Sequence, residues 1–393
     1  MASVTKRGTK WQYRVSWRDE AGNPHSKNKG GFRTKAEATN AAREVELLRA
    51  RGGSFDKADM PLVDYWHEWY TTYKQEKARS TSVRYVQVED TLRAHFGETP
   101  IGKVTALDWQ KFLNDYATGK YRSTEAKKVL HPKPLAKETV NKLNGYVRSM
   151  VKYALNDQVL HSDFTFGAYV PGRAPKDESS KYLQAEQFDM LMNRAYQQAT
   201  FTRLSSVAIF VAGQSGMRLS EILALTWDDV DFKHHTLSVD KSWDYVVNKF
   251  KPTKTPSSVR EVEVLPIVTA LLAKIRVEQT EWMLKSGTRD ANNCIFYSKL
   301  GVVITQAACA KALKKLQQTV GVPIDRQITF HGLRHTHVSY LLAHGVDIYY
   351  ISKRLGHANI QITLKVYSHL LEDQRKAQAE KTLDVLSGIV VGK

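Results

Sequence analysis

Cysteine is nearly absent from this chain of 393 residues: Cys294 and Cys309 are its two thiols, and they stand apart. Two isolated thiols supply neither a disulfide framework nor a cysteine zinc site, so both read as packing residues. No apolar run reaches the roughly 18 residues that a membrane-spanning helix needs. The first stretch of the chain also lacks the apolar core of a secretory signal, so the expectation is a protein of the cytoplasm with no membrane partner. A phosphate-cradling glycine loop, a low-complexity tract and an internal repeat are all missing, which argues against nucleotide hydrolysis. Acidic residues are few for the number of basic ones, 40 against 58, which leaves a net charge of +18. A polyanionic partner follows from that imbalance. The excess is +7 in residues 1–57, +4 in residues 58–181 and +7 beyond, so it is spread along the chain. A membrane-surface protein would gather its basic residues on one amphipathic helix or tail, which makes nucleic acid the leading partner.

The stretch WQYRVSW, residues 11 to 17, alternates: Trp11, Tyr13, Val15 and Trp17 fall on one face, Gln12, Arg14 and Ser16 on the other. That is the pattern of a half-buried strand. The segment DEAGNP supplies a turn, and a second strand from about His25 to Phe32 carries Lys27 and Lys29. Thr34 and Glu37 form a capping-box signature for a helix ending near Arg51. Residues 1–56 thus read as a three-stranded sheet plus helix. The polar face of Gln12, Arg14, Ser16 and Arg18, with Lys27 and Lys29, is its candidate DNA-reading surface. A solvated edge with ordinary surface lysines is the alternative.

Residues 57–168 turn helical. Leu62, Tyr65, Trp66, Trp69 and Tyr70 recur at three- and four-residue spacing, Ser80 and Thr81 cap a further helix, Thr105 opens another, and Thr139 to Leu155 is a long one. The tryptophans here read as core rather than as base-stacking platforms. Residues 169–181, YVPGRAPKDESSK, form a linker. Residues 182–393 combine helices with a strand-rich stretch from about Thr236 to Leu265. The fold class expected is therefore multidomain, mainly α with small β-sheets.

The stretch ITFHGLRHTHVSYLLAHG sets His331 and Arg334 three residues apart on one helical face. An arginine fork grips phosphate oxygens and a histidine near neutrality donates or accepts a proton, so a phosphodiester suits the pair. His331 and His335 as a zinc pair would need a third ligand and an HExxH glutamate that the helix lacks, and no metal is expected. Two further stretches complete the set: GQSGMRLSEILALTWDDVD, where Arg218 begins an amphipathic helix, and RLGHANIQITLKVYSHL. Between the histidine helix and the first of these lies KFKPTKTPSSVREVEVLP, a basic hairpin tip and a strand.

Together these segments resemble the tyrosine recombinase family, the phage-type integrases. The matching residues are Arg218 in Gly-x-Arg-x-x-Glu, Lys254 in Lys-Thr-Pro-Ser-Ser-x-Arg, His331 and Arg334 in His-x-Leu-Arg-His, His357 in Leu-Gly-His, and Tyr367. Lys249 and Lys251 compete with Lys254 for the hairpin position. The helical middle segment resembles the family's core-binding domain, and residues 1–56 its arm-binding domain. The resemblance implies a mixed α+β catalytic domain and a site-specific recombinase that integrates and excises a mobile element such as a prophage or conjugative transposon. Tyr367 would be the nucleophile, the two arginines would clamp the phosphate, His331 and His357 would add hydrogen bonds and help accept the tyrosine proton, and Lys254 would protonate the departing 5′-oxygen. Neither metal nor ATP is then needed. Glu221 would orient Arg218, while His335 and His337 would tie their helix to neighbouring backbone. The implied partners are double-stranded DNA with core and arm-type attachment sites, other copies in a homo-tetramer, and an excisionase or DNA-bending protein, all at the bacterial nucleoid. The apolar tail LDVLSGIVV would pack on a neighbouring subunit. A non-catalytic DNA-binding regulator and a type IB topoisomerase-like enzyme are the alternatives.

Overall fold

The computed structural model describes residues 2–18, 22, 24–50, 55–74, 79–121, 133–174, 181–253, 255–361, 363, 364, 367, 379, 382, 383, 386 and 387. The chain divides into two compact units, Met1–Pro175 and Lys176–Lys393.

The first unit opens with an antiparallel sheet of β1 (Ala2–Arg7), β2 (Lys10–Arg18) and β3 (Pro24–Phe32), in that order, covered by helix α1 (Lys35–Ala50). Alternation in β2 sorts its side chains as expected: Tyr13 and Val15 are buried with Ala42 and Val45 of the helix, while Arg14, Ser16 and Arg18 are exposed. The N-terminus of α1 is closed by Thr34, whose hydroxyl accepts from Glu37 N, and by Glu37, whose carboxylate accepts from Arg33 N at 2.9 Å. The register corrects one grouping. Tyr13 faces Lys29 and Val15 faces Lys27 across β2 and β3. Directly opposed residues of an antiparallel pair share a face. Lys27 and Lys29 therefore belong to the side that α1 covers, and Ser26 and Asn28, opposite Ser16 and Arg14, share the open face instead.

A short helix α2 (Phe55–Ala58) is followed by α3 (Leu62–Tyr73), α4 (Arg79–Phe96), α5 (Ala106–Ala117) and α6 (Lys137–Asn156). Their shared core holds Trp66, Trp69, Leu92, Trp109, Phe112 and Val147. Both tryptophans of α3 are core residues, and Trp66 donates its indole N–H to Tyr85 O at 3.1 Å. Thr105 and Asp108 form a reciprocal capping box on α5. Ser80 and Thr81 lie inside the first turn of α4 rather than before it.

The second unit is built around α8 (Leu204–Ser215), an apolar helix buried on nearly every side, against which α7 (Ala185–Gln197) packs. The helix expected after Arg218 is a single turn, α9 (Leu219–Ile222), after which Leu223, Ala224 and Leu225 continue as buried, non-helical chain. Two small sheets follow, β4 (Val230–Asp231), β5 (Thr236–Val239) and β8 (Arg260–Glu263) in one, β6 (Lys241–Asp244) and β7 (Lys249–Pro252) in the other. Helices α10 (Pro266–Ser286), α11 (Gln306–Thr319), α12 (Phe330–Ala343) and α13 (Ile348–Leu355) complete the described elements of the unit, with α11 and α12 also against α8. Cys294 and Cys309 are buried, and burial pushes both thiols up to about 12, which keeps them inert packing residues. Among the described residues no helix is long and apolar enough to cross a membrane. Most of the tail after Tyr367 lies outside the described residues.

Candidate active site

Four separated stretches of the second unit meet at one cleft of about 570 Å³, lined among others by Arg218, Glu221, Lys251, His331, Arg334, His335, His357 and Tyr367. Five of the six residues expected to do chemistry are thus brought together. The sixth, Lys254, lies outside the described residues, although its neighbours Thr253 and Thr255 line the cleft. Lys251, one of its competitors, also lines the cleft and pairs with Asp244 across the hairpin at 3.2 Å. Lys249 is exposed, opposite Asp244 at the far end of β7.

Arg334 is the deepest cation, with 3% of its surface exposed. Backbone carbonyls hold it: Nη1 donates to Gly216 O at 2.9 Å and Nη2 to Leu355 O at 2.8 Å. Among the described residues no carboxylate pairs with it. Burial first and the Arg218 charge second lower its pKa to about 9, so it remains a cation at neutral pH. Helix α12 carries it because Thr329 caps the first turn and Gly332 lets that turn approach closely. A Cβ at Gly332 would sit 2.6 Å from Ile328 Cβ and 3.0 Å from Lys181 O.

Arg218 stands at the start of α9, its side chain about one-third exposed to the cleft. Glu221 fixes it. One carboxylate oxygen accepts from Arg218 Nη1 at 2.7 Å, the other from Arg218 N and from Arg260 Nη2, both at 2.9 Å. Burial works against the Glu221 charge, but Arg260 and Arg218 outweigh it and hold the carboxyl below its ordinary value. Arg260 also donates through Nε to Arg354 O at 2.7 Å, tying β8 to the last turn of α13, just before the turn that follows it. That turn contains Gly356 at φ +70°, where a Cβ would meet Ser257 O at 3.0 Å and Arg260 at 3.1 Å. Sequence reading left Arg260 without a role, although it ends the Lys-Thr-Pro-Ser-Ser-x-Arg stretch. Its position six residues after the hairpin lysine on an alternating strand was the available signal.

His357 follows Gly356 and engages Thr363 Oγ1 through Nδ1 at 2.8 Å. Burial, then Arg334 and Arg218, lower its pKa to about 4. His331 opens to solvent in the cleft, yet the crowding protein and the same two arginines lower its pKa as well. Both rings are therefore neutral near pH 7. His337 ties its helix to backbone as expected, with Nδ1 on Gly213 O at 2.7 Å. His335 does not. Its Nδ1 lies 2.6 Å from the Tyr367 hydroxyl, because it occupies the cleft side of α12 one turn beyond His331. The tyrosine ring is 3% exposed and packs with Val338, Leu342, Ile351 and Leu355 of α12 and α13.

In the first unit, β2 aligns Lys10, Gln12, Arg14, Ser16 and Arg18 along the open face of the sheet. Gln12 donates to Thr5 Oγ1 at 3.2 Å and Arg18 to Gly22 O at 3.1 Å. Lys29 is exposed on the other side, and Lys27 lies 3.6 Å from Asp59.

A buried tyrosine, two guanidinium groups and neutral imidazoles in one cleft make an arrangement able to hold a phosphodiester and present an oxygen nucleophile to it. Comparison with known proteins supplies the family. Residues 181–374 match the phage integrase family, and residues 3–47 match an arm DNA-binding domain. The chain is 27% identical over 402 residues to a XerC-like tyrosine recombinase of Caldanaerobacter subterraneus subsp. tengcongensis, across 95% of this chain and 96% of the relative. Among solved structures, the Tn1549 transposon integrase in complex with transposon right-end DNA superposes with a TM-score of 0.65 at 19% identity, over 82% of this chain and 99% of that one. A lambda integrase dimer bound to a core site gives 0.55 at 12% identity, over 92% and 93%. The chain belongs to the phage integrase family of tyrosine recombinases, enzymes that cleave and rejoin DNA.

Proposed function

We propose that this recombinase integrates and excises a mobile element by passing each cut strand through a 3′-phosphotyrosyl bond at Tyr367. The observation that carries the reading is Arg334: a buried cation held by carbonyls, beside Arg218 and in the same cleft as a buried tyrosine. An ion taken out of water without a counter-ion is costly, so such a site favours an incoming anion. A DNA phosphate supplies it. Arg218 and Arg334 bind the non-bridging oxygens, and their grip strengthens as charge grows at phosphorus, worth roughly 3 kcal/mol for each donor. Neutral His331 and His357 serve as hydrogen-bond donors to the same phosphate. With Nδ1 of His357 on Thr363, Nε2 is the nitrogen left for that purpose. Lys254 protonates the departing 5′-oxygen, and the phosphotyrosine conserves the bond energy, so neither metal nor ATP is required.

In this reading residues 1–56 bind arm-type sites through Gln12, Arg14, Ser16 and Arg18, residues 57–168 and 182–393 bind the core site, and residues 169–181 are the linker. Four copies act together on duplex DNA in the bacterial cytoplasm, with an excisionase or a DNA-bending protein setting direction. Incubation with a nicked suicide substrate in EDTA, without ATP, tests the chemistry. A covalent protein–DNA adduct is the expected result. A strict magnesium requirement would sink the mechanism, and binding without any adduct would leave a DNA-binding regulator.

A further inference from the structure

We propose that His335 is the proton acceptor for the Tyr367 hydroxyl, a role that rests on Tyr367 being the nucleophile. The contact is direct: Nδ1 and Oη are 2.6 Å apart, the short range of a strong hydrogen bond. It is also held from both sides. The tyrosine ring is fixed in the small core between α12 and α13, and the imidazole is fixed by its place on α12, with the His331 ring edge-on at a centroid distance of 4.9 Å. A candidate base must first lie within hydrogen-bond reach of the proton it takes, and His335 meets that condition in the free protein.

The neighbouring imidazoles are occupied with other work. His337 is buried against Gly213 O, and His357 engages Thr363. His331 faces Arg334 and Arg218, whose charges disfavour a second proton there. For Nδ1 of His335 to accept, the neutral ring carries its proton on Nε2. The step then balances. The Oη–H bond breaks, its proton passes to Nδ1, and the freed electron pair forms the bond to phosphorus while the 5′-oxygen leaves with a proton from the hairpin lysine. In rejoining, the 5′-hydroxyl gives its proton back to the hairpin lysine as its oxygen attacks phosphorus, the bond from phosphorus to the tyrosine oxygen breaks, and the imidazolium returns its proton to that oxygen.

The test measures single-turnover adduct formation on nicked DNA for His335→Ala and His335→Gln, each also with a fluorinated tyrosine of more acidic phenol at position 367. Glutamine retains a hydrogen bond to Oη but carries no proton away. We expect both substitutions to slow adduct formation by about 10²–10⁴-fold with DNA affinity unchanged, and fluorination to shrink that loss by about tenfold or more. His335→Gln reacting within a few-fold of the parent, or a loss that fluorination leaves undiminished, overturns the proposal. Tyr367→Phe is run beside them: adduct surviving there removes the nucleophile assignment itself, whereas adduct lost there and normal in both His335 variants removes the proton acceptor alone.

Discussion

Arginine serves two regions of this molecule in opposite states. On the open face of the sheet Arg14 stands in water, and its charge is screened by salt at a Debye length of about 8 Å under physiological conditions. In the cleft Arg334 is stripped of water before any substrate arrives, held by two carbonyls in surroundings where charge acts strongly. The difference teaches what each cation is for. An exposed arginine contributes affinity that falls as salt rises, through release of counter-ions from DNA. A buried, preoriented one contributes where charge develops, and its effect is read in rate.

The sharpest test of the contrast is Tyr367→Phe, which removes one oxygen from the cleft. All covalent adduct disappears while duplex affinity, measured by gel shift, stays within a few-fold of the parent. Adduct at normal yield would move the nucleophile elsewhere. Next in size, Arg334→Ala lowers the rate of adduct formation by about 10²–10³-fold or more, with a much smaller change in binding. A loss expressed wholly in affinity would erase the distinction between the two arginine sites. For the sheet, the pair Arg14→Ala and Arg18→Ala, or deletion of residues 1–56, leaves cleavage at the crossover sequence and abolishes binding to separate flanking sites. The double substitution also flattens the slope of log affinity against log salt by about two. An unchanged slope would remove the sheet face from DNA. The smallest effect is on stability. His337, whose folded pKa is lowered from 6.5 to about 4, refuses a proton that the unfolded chain accepts. Stability therefore falls as pH drops through 6.5 and levels off near 4, by about 1.4 kcal/mol per pH unit within that window. His357 acts in the same direction. Urea unfolding at pH 7.5 and pH 5 measures the slope, and His337→Gln reduces it.

The composition of the cleft was largely readable because its residues sit in short motifs whose order and spacing are present in the chain itself. Arg218, His331, Arg334, His357 and Tyr367 meet in one cleft. The alternation of WQYRVSW likewise announced which side of β2 would be covered. What the chain did not disclose depends on pairing. Lys27 and Lys29 alternate correctly within β3, but the face they join is set by a register between two strands, and that register places them opposite Val15 and Tyr13. His335 reads as one more helix histidine until a tyrosine 32 residues later arrives at its Nδ1. Helix α9 stops after one turn although its apolar spacing runs on through Leu223 and Leu225, so the spacing alone overstates its length.

Strand β2 has a consequence for how such a protein changes over time. Its odd positions, Tyr13 and Val15, hold the fold against α1, and its even positions, Gln12, Arg14, Ser16 and Arg18, lie on the opposite, open face of the sheet. Inheritance can therefore rewrite every second letter of the strand while the intervening letters stay under purifying selection. On the proposed reading of that face, a lineage carried from one genome to another drifts toward new flanking sequences at the even positions alone, while the packing against α1 is kept.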